Sequence, residues 1–230
     1  MAIIDGTGDW SDDDYARSMA GSFCKQLELG LSACRVHAPR YERGPSGDGY
    51  RIRERAARAV DFLQAYRGRR LMLAGYSRGG SAAVIAARLL ETAGVTVDFL
   101  FLFDPVARHL SGDSGTIPSN VGEAWVVRRR IGAPEMDKYD HSIPGWTGFD
   151  LAGHNPVRNW FGTTATLAAP GVIVRKAEFL GSHGALGGVG WPHVSEDPQC
   201  QKNVADFMNK GLVRAGLNFM LVSKRPSLTT

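Results

Sequence analysis

The chain is poor in cysteine. Only Cys24, Cys34 and Cys200 occur among its 230 residues, and no two of them form a Cys-x-x-Cys pair. The odd number and the wide spacing argue against a disulfide framework and against a structural zinc site. A reducing compartment is typical of such a cysteine content.

Targeting and membrane-spanning patterns are also missing. The segment from Met1 to Gly6 contains no basic stretch followed by a long apolar one, which a secretory signal peptide requires. No apolar run approaches the ~20 residues that cross a bilayer. We therefore expect a chain that is made and folded in the cytoplasm, while export by a route that reads no N-terminal signal stays open.

Charge of one sign is not concentrated in any segment. The formal net charge is +4, and arginines are scattered over residues 51–58, 67–70 and 128–130. Each group lies on or beside a predicted helix or strand, so a solvated face explains it better than a nucleic-acid surface. No DNA- or RNA-binding motif accompanies the arginines, and we expect no nucleic-acid partner.

Strand-like and helix-like patterns alternate along the chain. A short first strand ends at Asp5, and apolar runs predict further strands over residues 71–74, 97–103, 124–129 and 172–179. Helical periodicity predicts helices over residues 11–27, 52–63, 81–94 and 204–212. This alternation predicts an α/β fold in which helices cover both faces of a mainly parallel sheet. The length fits a single domain over residues 1–230.

Residues 131–170 interrupt this alternation. The stretch is rich in Gly, Pro, Trp and His and shows little periodicity. Long irregular segments inside compact domains are usually functional. We interpret it as a cap or substrate-binding insertion in which Trp146, Phe149 and Trp160 contact the substrate. A structural loop packed over the sheet is the alternative, and the sequence does not separate the two.

The most informative motif is Gly75-Tyr76-Ser77-Arg78-Gly79. An apolar strand runs directly into it and a helix of small residues follows, which is the context of the nucleophile elbow of α/β-hydrolases. Such a turn holds the serine hydroxyl above the sheet, where the helix N-terminus favours developing negative charge. Ser77 is therefore the candidate nucleophile of an α/β-hydrolase-like fold. A glycine-rich turn with an incidental serine would show the same letters.

A serine nucleophile needs a base and a group that orients this base. Asp104 directly follows the apolar strand at 97–103, at the sheet edge where active sites of this architecture lie. A turn or capping role would also suit this aspartate. His183 follows the last predicted strand in a glycine-rich loop, and the chain order Ser, Asp, His makes it the preferred base. His193 is the rival, because geometry decides between the two rings.

Backbone N–H groups near the serine would form an oxyanion hole. The N–H of Arg78, the residue after the nucleophile, is the expected first donor. Gly6 and Thr7, in the loop after the first strand, are the candidates for the second donor, since glycine allows a close approach. Tyr76, beside the nucleophile, is a further candidate for contact with the substrate.

The order of five short segments carries a family resemblance. They are Ile4–Gly8, Arg43–Gly47, Gly75–Gly79, Phe103–Val106 and Gly181–Gly188. Together they resemble one bacterial α/β-hydrolase family, that of the type VI secretion phospholipase effectors and their relatives. The resemblance implies peripheral contact with a membrane, and a delivery partner or an immunity protein.

We expect a serine hydrolase that cleaves carboxylic esters by a Ser-His-Asp triad and needs no metal or organic cofactor. The resemblance implies lipid or phospholipid acyl esters as substrates. A soluble esterase for small esters is one alternative. A non-catalytic binding protein with the same fold is another. Two departures from the family bear on these alternatives: Ala185 stands where the family has a second aspartate, and Pro105 where it has threonine.

Overall fold

The computed structural model describes seven stretches of the chain, namely residues 1–9, 11–34, 38–44, 51–107, 114–130, 164–190 and 194–223. Most of the expected insertion at 131–170 lies outside them, and so do Trp146, Phe149, Trp160 and His193. The roles expected of these four residues, and the single domain over residues 1–230, stay predictions.

Strands and helices alternate through most of the described residues. The strands are β1 Ala2–Ile4, β2 Arg40–Glu42, β3 Met72–Tyr76, β4 Val97–Phe103, β5 Thr116–Ile117, β6 Val121–Arg129, β7 Leu167–Ala168 and β8 Ile173–Phe179. The helices are α1 Asp12–Ser18, α2 Phe23–Ala33, α3 Ile52–Gln64, α4 Arg78–Thr92, α5 His183–Gly187 and α6 Asp197–Arg214.

Six of the strands form one sheet in the order β2-β1-β3-β4-β6-β8. Every neighbouring pair in this sheet is parallel. In the centre, Gly75 of β3 lies opposite Leu102 of β4, so the two strands end at the same edge. The short strands β5 and β7 pair separately, also in parallel. The predicted parallel sheet is confirmed.

Side chains that alternate along the central strands fill two cores, one on each face. On β4, Leu100 and Leu102 join the core beneath α3 and α4, whereas Phe101 and Phe103 join the core beneath the other four helices. All four side chains are fully buried. A strand whose two faces are both covered needs a continuous apolar run, which is what the sequence shows there.

The single helix expected over residues 11–27 is two helices. The hydroxyl of Ser11 accepts the N–H of Asp14 and begins α1, and the hydroxyl of Ser22 accepts the N–H of Lys25 and begins α2. Both serines are N-caps. A serine that caps a new helix has a non-helical backbone, so one continuous helix cannot run through it. The periodic pattern of apolar residues continues across the break between the two helices, because Met19 and Phe23 pack into the same core.

Two of the three arginines at 128–130 do not lie on the expected solvated face, whereas Arg130 is exposed. Arg128 and Arg129 are each only 3% exposed. The Arg128 guanidinium donates to the carbonyl oxygens of Thr164 and Ala165, and it thereby attaches the end of the 131–170 stretch to β6. Among the described residues, no helix is long and apolar enough to span a membrane.

The first turn of α4 packs backbone to backbone against β1 and β3. A Cβ atom on Gly79 would overlap the carbonyl oxygens of Ile4 and Asp5, and one on Gly75 would overlap the carbonyl of Gly79. Only glycine fits at these two positions without a backbone shift. The glycines of the motif therefore set the distance between the helix and the sheet.

We expect Gly79→Ala to lower the free energy of unfolding by about 1–3 kcal/mol or more, because the added methyl group meets backbone that cannot rotate away. Urea unfolding monitored by circular dichroism measures the loss. Gly115→Ala is the matched control, since a Cβ there meets nothing within 4 Å. Equal stability of the two variants would contradict the close approach.

Candidate active site

Ser77 lies on the tight turn between β3 and α4. Its backbone has φ 55° and ψ −127°, and residues other than glycine rarely adopt such a positive φ. Surrounding hydrogen bonds hold it: the Ser77 N–H donates to the Phe103 carbonyl at 3.0 Å, and its own carbonyl accepts from Gly80 and Val106. Strain of this kind persists only where the surrounding structure determines it, and it is common at functional sites.

Asp104 is the first residue after β4 and also has a positive φ, of 38°. Its buried carboxylate accepts from the Arg129 backbone N–H at 3.2 Å and from the Arg129 side chain at 3.0 Å. Burial alone would raise the pKa of Asp104, but the Arg129 guanidinium and His183 outweigh it and lower that pKa below its ordinary value. The carboxylate is therefore ionised at neutral pH.

His183 connects Asp104 to Ser77. Its Nδ1 lies 2.7 Å from Asp104 Oδ2, and its Nε2 lies 2.9 Å from Ser77 Oγ. An ionised carboxylate can only accept a hydrogen bond, so Nδ1 carries the proton. In the neutral ring Nε2 is then the acceptor and faces the serine hydroxyl. This is the arrangement in which a ring nitrogen can take the serine proton.

Tyr76 supports the imidazole. Its hydroxyl donates to the His183 carbonyl at 3.1 Å, and the two rings lie 5.0 Å apart between centroids. Tyr76 is 4% exposed and belongs to a hydrophobic core. This corrects the expectation that Tyr76 contacts the substrate, because both its ring and its hydroxyl are already engaged inside the protein.

The turn that carries His183 is tied to α6 by a buried aspartate. Asp197 accepts the Ser182 backbone N–H at 2.7 Å and the Ser182 hydroxyl at 2.5 Å. The same hydroxyl accepts the N–H of Ala185 and so begins α5. Both Ser182 and Asp197 are almost completely buried. The position of the imidazole is therefore determined from both sides, by Asp104 at the ring and by Asp197 at the backbone.

The loop after β1 lies against the turn that carries Ser77. A Cβ on Gly6 would stand 3.3 Å from the Cβ of Ser77. The Gly6 N–H, however, donates to the Asp5 carboxylate at 2.7 Å, which corrects the expectation that it serves as an oxyanion donor. Thr7 follows directly, and Arg78 is the first residue of α4. N–H groups in a first helical turn point away from the helix body, which suits them to an anion.

Ala185 has no place among these polar groups. It is fully buried in the hydrophobic core on one face of the sheet. The set of Ser77, His183 and Asp104 is joined by hydrogen bonds without any contribution from that position. Among the described residues, no group of three or more His, Cys, Asp or Glu side chains could hold a metal ion.

Arg129, Asp197 and Asp5 are the site residues that sequence reasoning missed. Arg129 ends a strand whose other residues are mostly buried, and a charged residue in that position is a signal for a buried partner. Asp197 and Asp5 act through contacts with distant residues, Ser182 and Tyr41, for which the sequence carries no local pattern.

Part of the chain is similar to a known protein family. The thioesterase domain family matches residues 23–126, a little under half of the chain, and this stretch includes Ser77 and Asp104. The parallel sheet, the helices and the elbow are those of the α/β-hydrolase fold. No curated protein matches the chain. None of these findings points to type VI secretion effectors, so that resemblance is not supported.

Several solved thioesterase structures are similar to the chain. The NocB thioesterase domain in covalent complex with a fluorophosphonate nocardicin G analogue has 15% identity and a TM-score of 0.48, over 92% of this chain and 93% of that one. YbtT, a type II thioesterase of the yersiniabactin pathway, has 14% identity and a TM-score of 0.44, over 94% of each chain. The surfactin thioesterase domain SrfTE has 16% identity and a TM-score of 0.38, over 96% and 93%. Likeness at this level carries no argument about activity.

We expect Arg129→Met to lower the free energy of unfolding at pH 7 by about 3 kcal/mol or more, because it leaves the buried Asp104 carboxylate without its guanidinium partner. Urea unfolding measures this loss. Arg130→Met is the control, since Arg130 is exposed. Equal losses in the two variants would contradict the role of the buried pair.

The Arg129–Asp104 pair should also make the free energy of unfolding depend on pH. The pKa of Asp104 is lowered in the folded state, so its stabilising contribution is present above the unfolded value of about 3.9 and disappears as the pH falls through the folded value. Between pH 7 and a pH near 3, the free energy of unfolding should therefore fall further in the wild type than in Arg129→Met. Urea unfolding at the two pH values measures this difference. A larger fall in the variant would contradict a lowered pKa of Asp104 in the folded state.

Proposed function

We propose that this protein is a serine hydrolase that cleaves acyl thioesters, with carboxylic oxyesters as a second class of substrate. The observation that carries the proposal is the unbroken chain of hydrogen bonds from Ser77 Oγ through His183 to Asp104. The nucleophile is Ser77, the general base is His183, and Asp104 orients the imidazole and stabilises its charged form.

The first half of the reaction acylates the serine. Ser77 Oγ attacks the carbonyl carbon while its proton moves to His183 Nε2, and the carbonyl oxygen becomes an oxyanion. The backbone N–H groups of Arg78 and Thr7 are the proposed donors to this oxygen. Collapse of the tetrahedral intermediate breaks the bond to sulfur or oxygen, and His183 returns the proton to the leaving thiol or alcohol.

The second half releases the acid. A water molecule gives a proton to His183 Nε2 and attacks the acyl carbon, and a second oxyanion forms at the same place. Its collapse breaks the bond to Ser77 Oγ, which recovers the proton from the imidazolium. The Asp104 carboxylate stays ionised throughout, because Arg129 and the imidazole both stabilise its charge.

The match of residues 23–126 to the thioesterase domain family favours a thioester as the bond that is cut. Lipid or phospholipid acyl esters, and small soluble esters, would pass through the same steps at the same residues. Preference for the leaving group and for the acyl length is therefore what separates these substrate classes.

The first experiment asks whether Ser77 is an activated nucleophile. A fluorophosphonate probe should label the wild-type protein and leave Ser77→Ala unlabelled, because only a serine with a neighbouring base is acylated or phosphonylated rapidly. Ser32→Ala, a change at an exposed residue of α2, is the control and should label like the wild type. If the wild type and Ser77→Ala are equally unreactive, the protein is a non-catalytic member of this fold.

The second experiment asks which bond is cut. We expect kcat/KM for S-butyryl-N-acetylcysteamine to exceed that for ethyl butyrate, which carries the same acyl group on an oxyester. A spectroscopic thiol assay and a pH-stat assay measure the two rates, and Ser77→Ala should lower both at least 10³-fold. A clear preference for long-chain phospholipids over the thioester would overturn the thioesterase assignment and leave the serine mechanism standing.

A further inference from the structure

Asp5 and Gly6, which follow β1, are held beside the turn of Ser77 by several hydrogen bonds. Asp5 is fully buried, and its carboxylate accepts the Gly6 N–H at 2.7 Å, the Tyr41 hydroxyl at 2.8 Å and the Ser22 hydroxyl. The Gly6 carbonyl accepts the Tyr15 hydroxyl at 2.7 Å. Both backbone polar groups of Gly6 are thus engaged, and the residue that follows it starts from a fixed position.

That next residue carries a hydroxyl without a partner. Thr7 Oγ1 is buried, although the residue as a whole is partly exposed, and it makes no hydrogen bond to any described residue. It is the only buried hydroxyl of the described chain in this situation. A buried hydroxyl that is left unpaired costs the free energy of its lost hydration.

Three other buried hydroxyls of the described residues serve the fold and have partners. Ser22 donates to Asp5, Ser182 donates to Asp197, and Thr164 donates to Ser114. A purely structural threonine at position 7 would be expected to do the same. An unpaired buried hydroxyl on the residue after Gly6, in the loop that contacts the turn of Ser77, is instead suited to donate to a bound group.

We propose that the Thr7 hydroxyl donates a hydrogen bond to the oxyanion of the tetrahedral intermediate, as a third donor beside the backbone N–H groups of Thr7 and Arg78. This inference rests on the proposed function. Asp5 and Tyr15 fix the backbone of Gly6, from which Thr7 follows, so the backbone of this loop needs little reorganisation when negative charge develops. Because that charge exists only in the intermediate and the flanking transition states, Thr7 should act on kcat rather than on substrate binding.

The test compares Thr7→Val, which keeps the shape and removes the hydroxyl, with Thr7→Ser, which keeps the hydroxyl. For hydrolysis of p-nitrophenyl butyrate we expect Thr7→Val to lower kcat about 10- to 100-fold with KM unchanged. Thr7→Ser should stay within about threefold of the wild type. Thr96→Val, on an exposed residue, is the matched control and should leave kcat unchanged.

Butylboronic acid supplies a readout that a merely structural role would not move. It forms a tetrahedral adduct with a serine hydroxyl, and the affinity for it should fall in Thr7→Val by the same factor as kcat. Thr7→Ala gives the same measurement if valine does not fit the loop. If folded Thr7→Val has the kcat and the boronate affinity of the wild type, the inference about Thr7 is overturned and the proposed function stands. If the wild type neither hydrolyses the ester nor binds the boronate, the proposed function is overturned, and this inference with it.

Discussion

The backbone contact between the first turn of α4 and the ends of β1 and β3 is the constraint on which the site depends. Gly75 and Gly79 allow this contact, since a Cβ on either would overlap main-chain atoms. The approach forces Ser77 into a left-handed conformation and sets the loop at Gly6 directly against it. Ser77 and the loop at Gly6 are therefore positioned by one packing requirement and not by two separate ones.

A buried series of polar groups completes the arrangement around Ser77. The Arg129 guanidinium stabilises the Asp104 carboxylate, which accepts a hydrogen bond from the imidazole of His183. Removing charges from water is costly, and such a series is favourable only when each member has its partner. Contacts to the backbone hold His183 in place: the Tyr76 hydroxyl donates to its carbonyl, and Asp197 accepts the N–H of the preceding residue. The geometry is thus shared between strand ends β3, β4 and β6 and the helix α6.

Features with a local signal could be predicted from the sequence. The buried strand β4 is a continuous apolar run, and Ser77 and Asp104 directly follow strands that end at one sheet edge. The break between α1 and α2 was hidden, because the apolar face continues across the Ser22 cap. Arg129 could not be assigned to Asp104, since a pair 25 residues apart leaves no periodic trace. The similarity of residues 23–126 to the thioesterase domain family extends over a whole segment and has no single motif as its local signal.

Transfer of an acyl group to Ser77 can be observed with an ester whose acyl-enzyme is hydrolysed slowly. The protein is mixed with p-nitrophenyl trimethylacetate, release of p-nitrophenolate is followed by stopped flow, and the acid-quenched protein is digested for peptide mass spectrometry. We expect a burst of one equivalent of p-nitrophenolate per chain and an acyl group on Ser77. Hydrolysis without a burst, or an acyl group on another residue, would contradict this expectation.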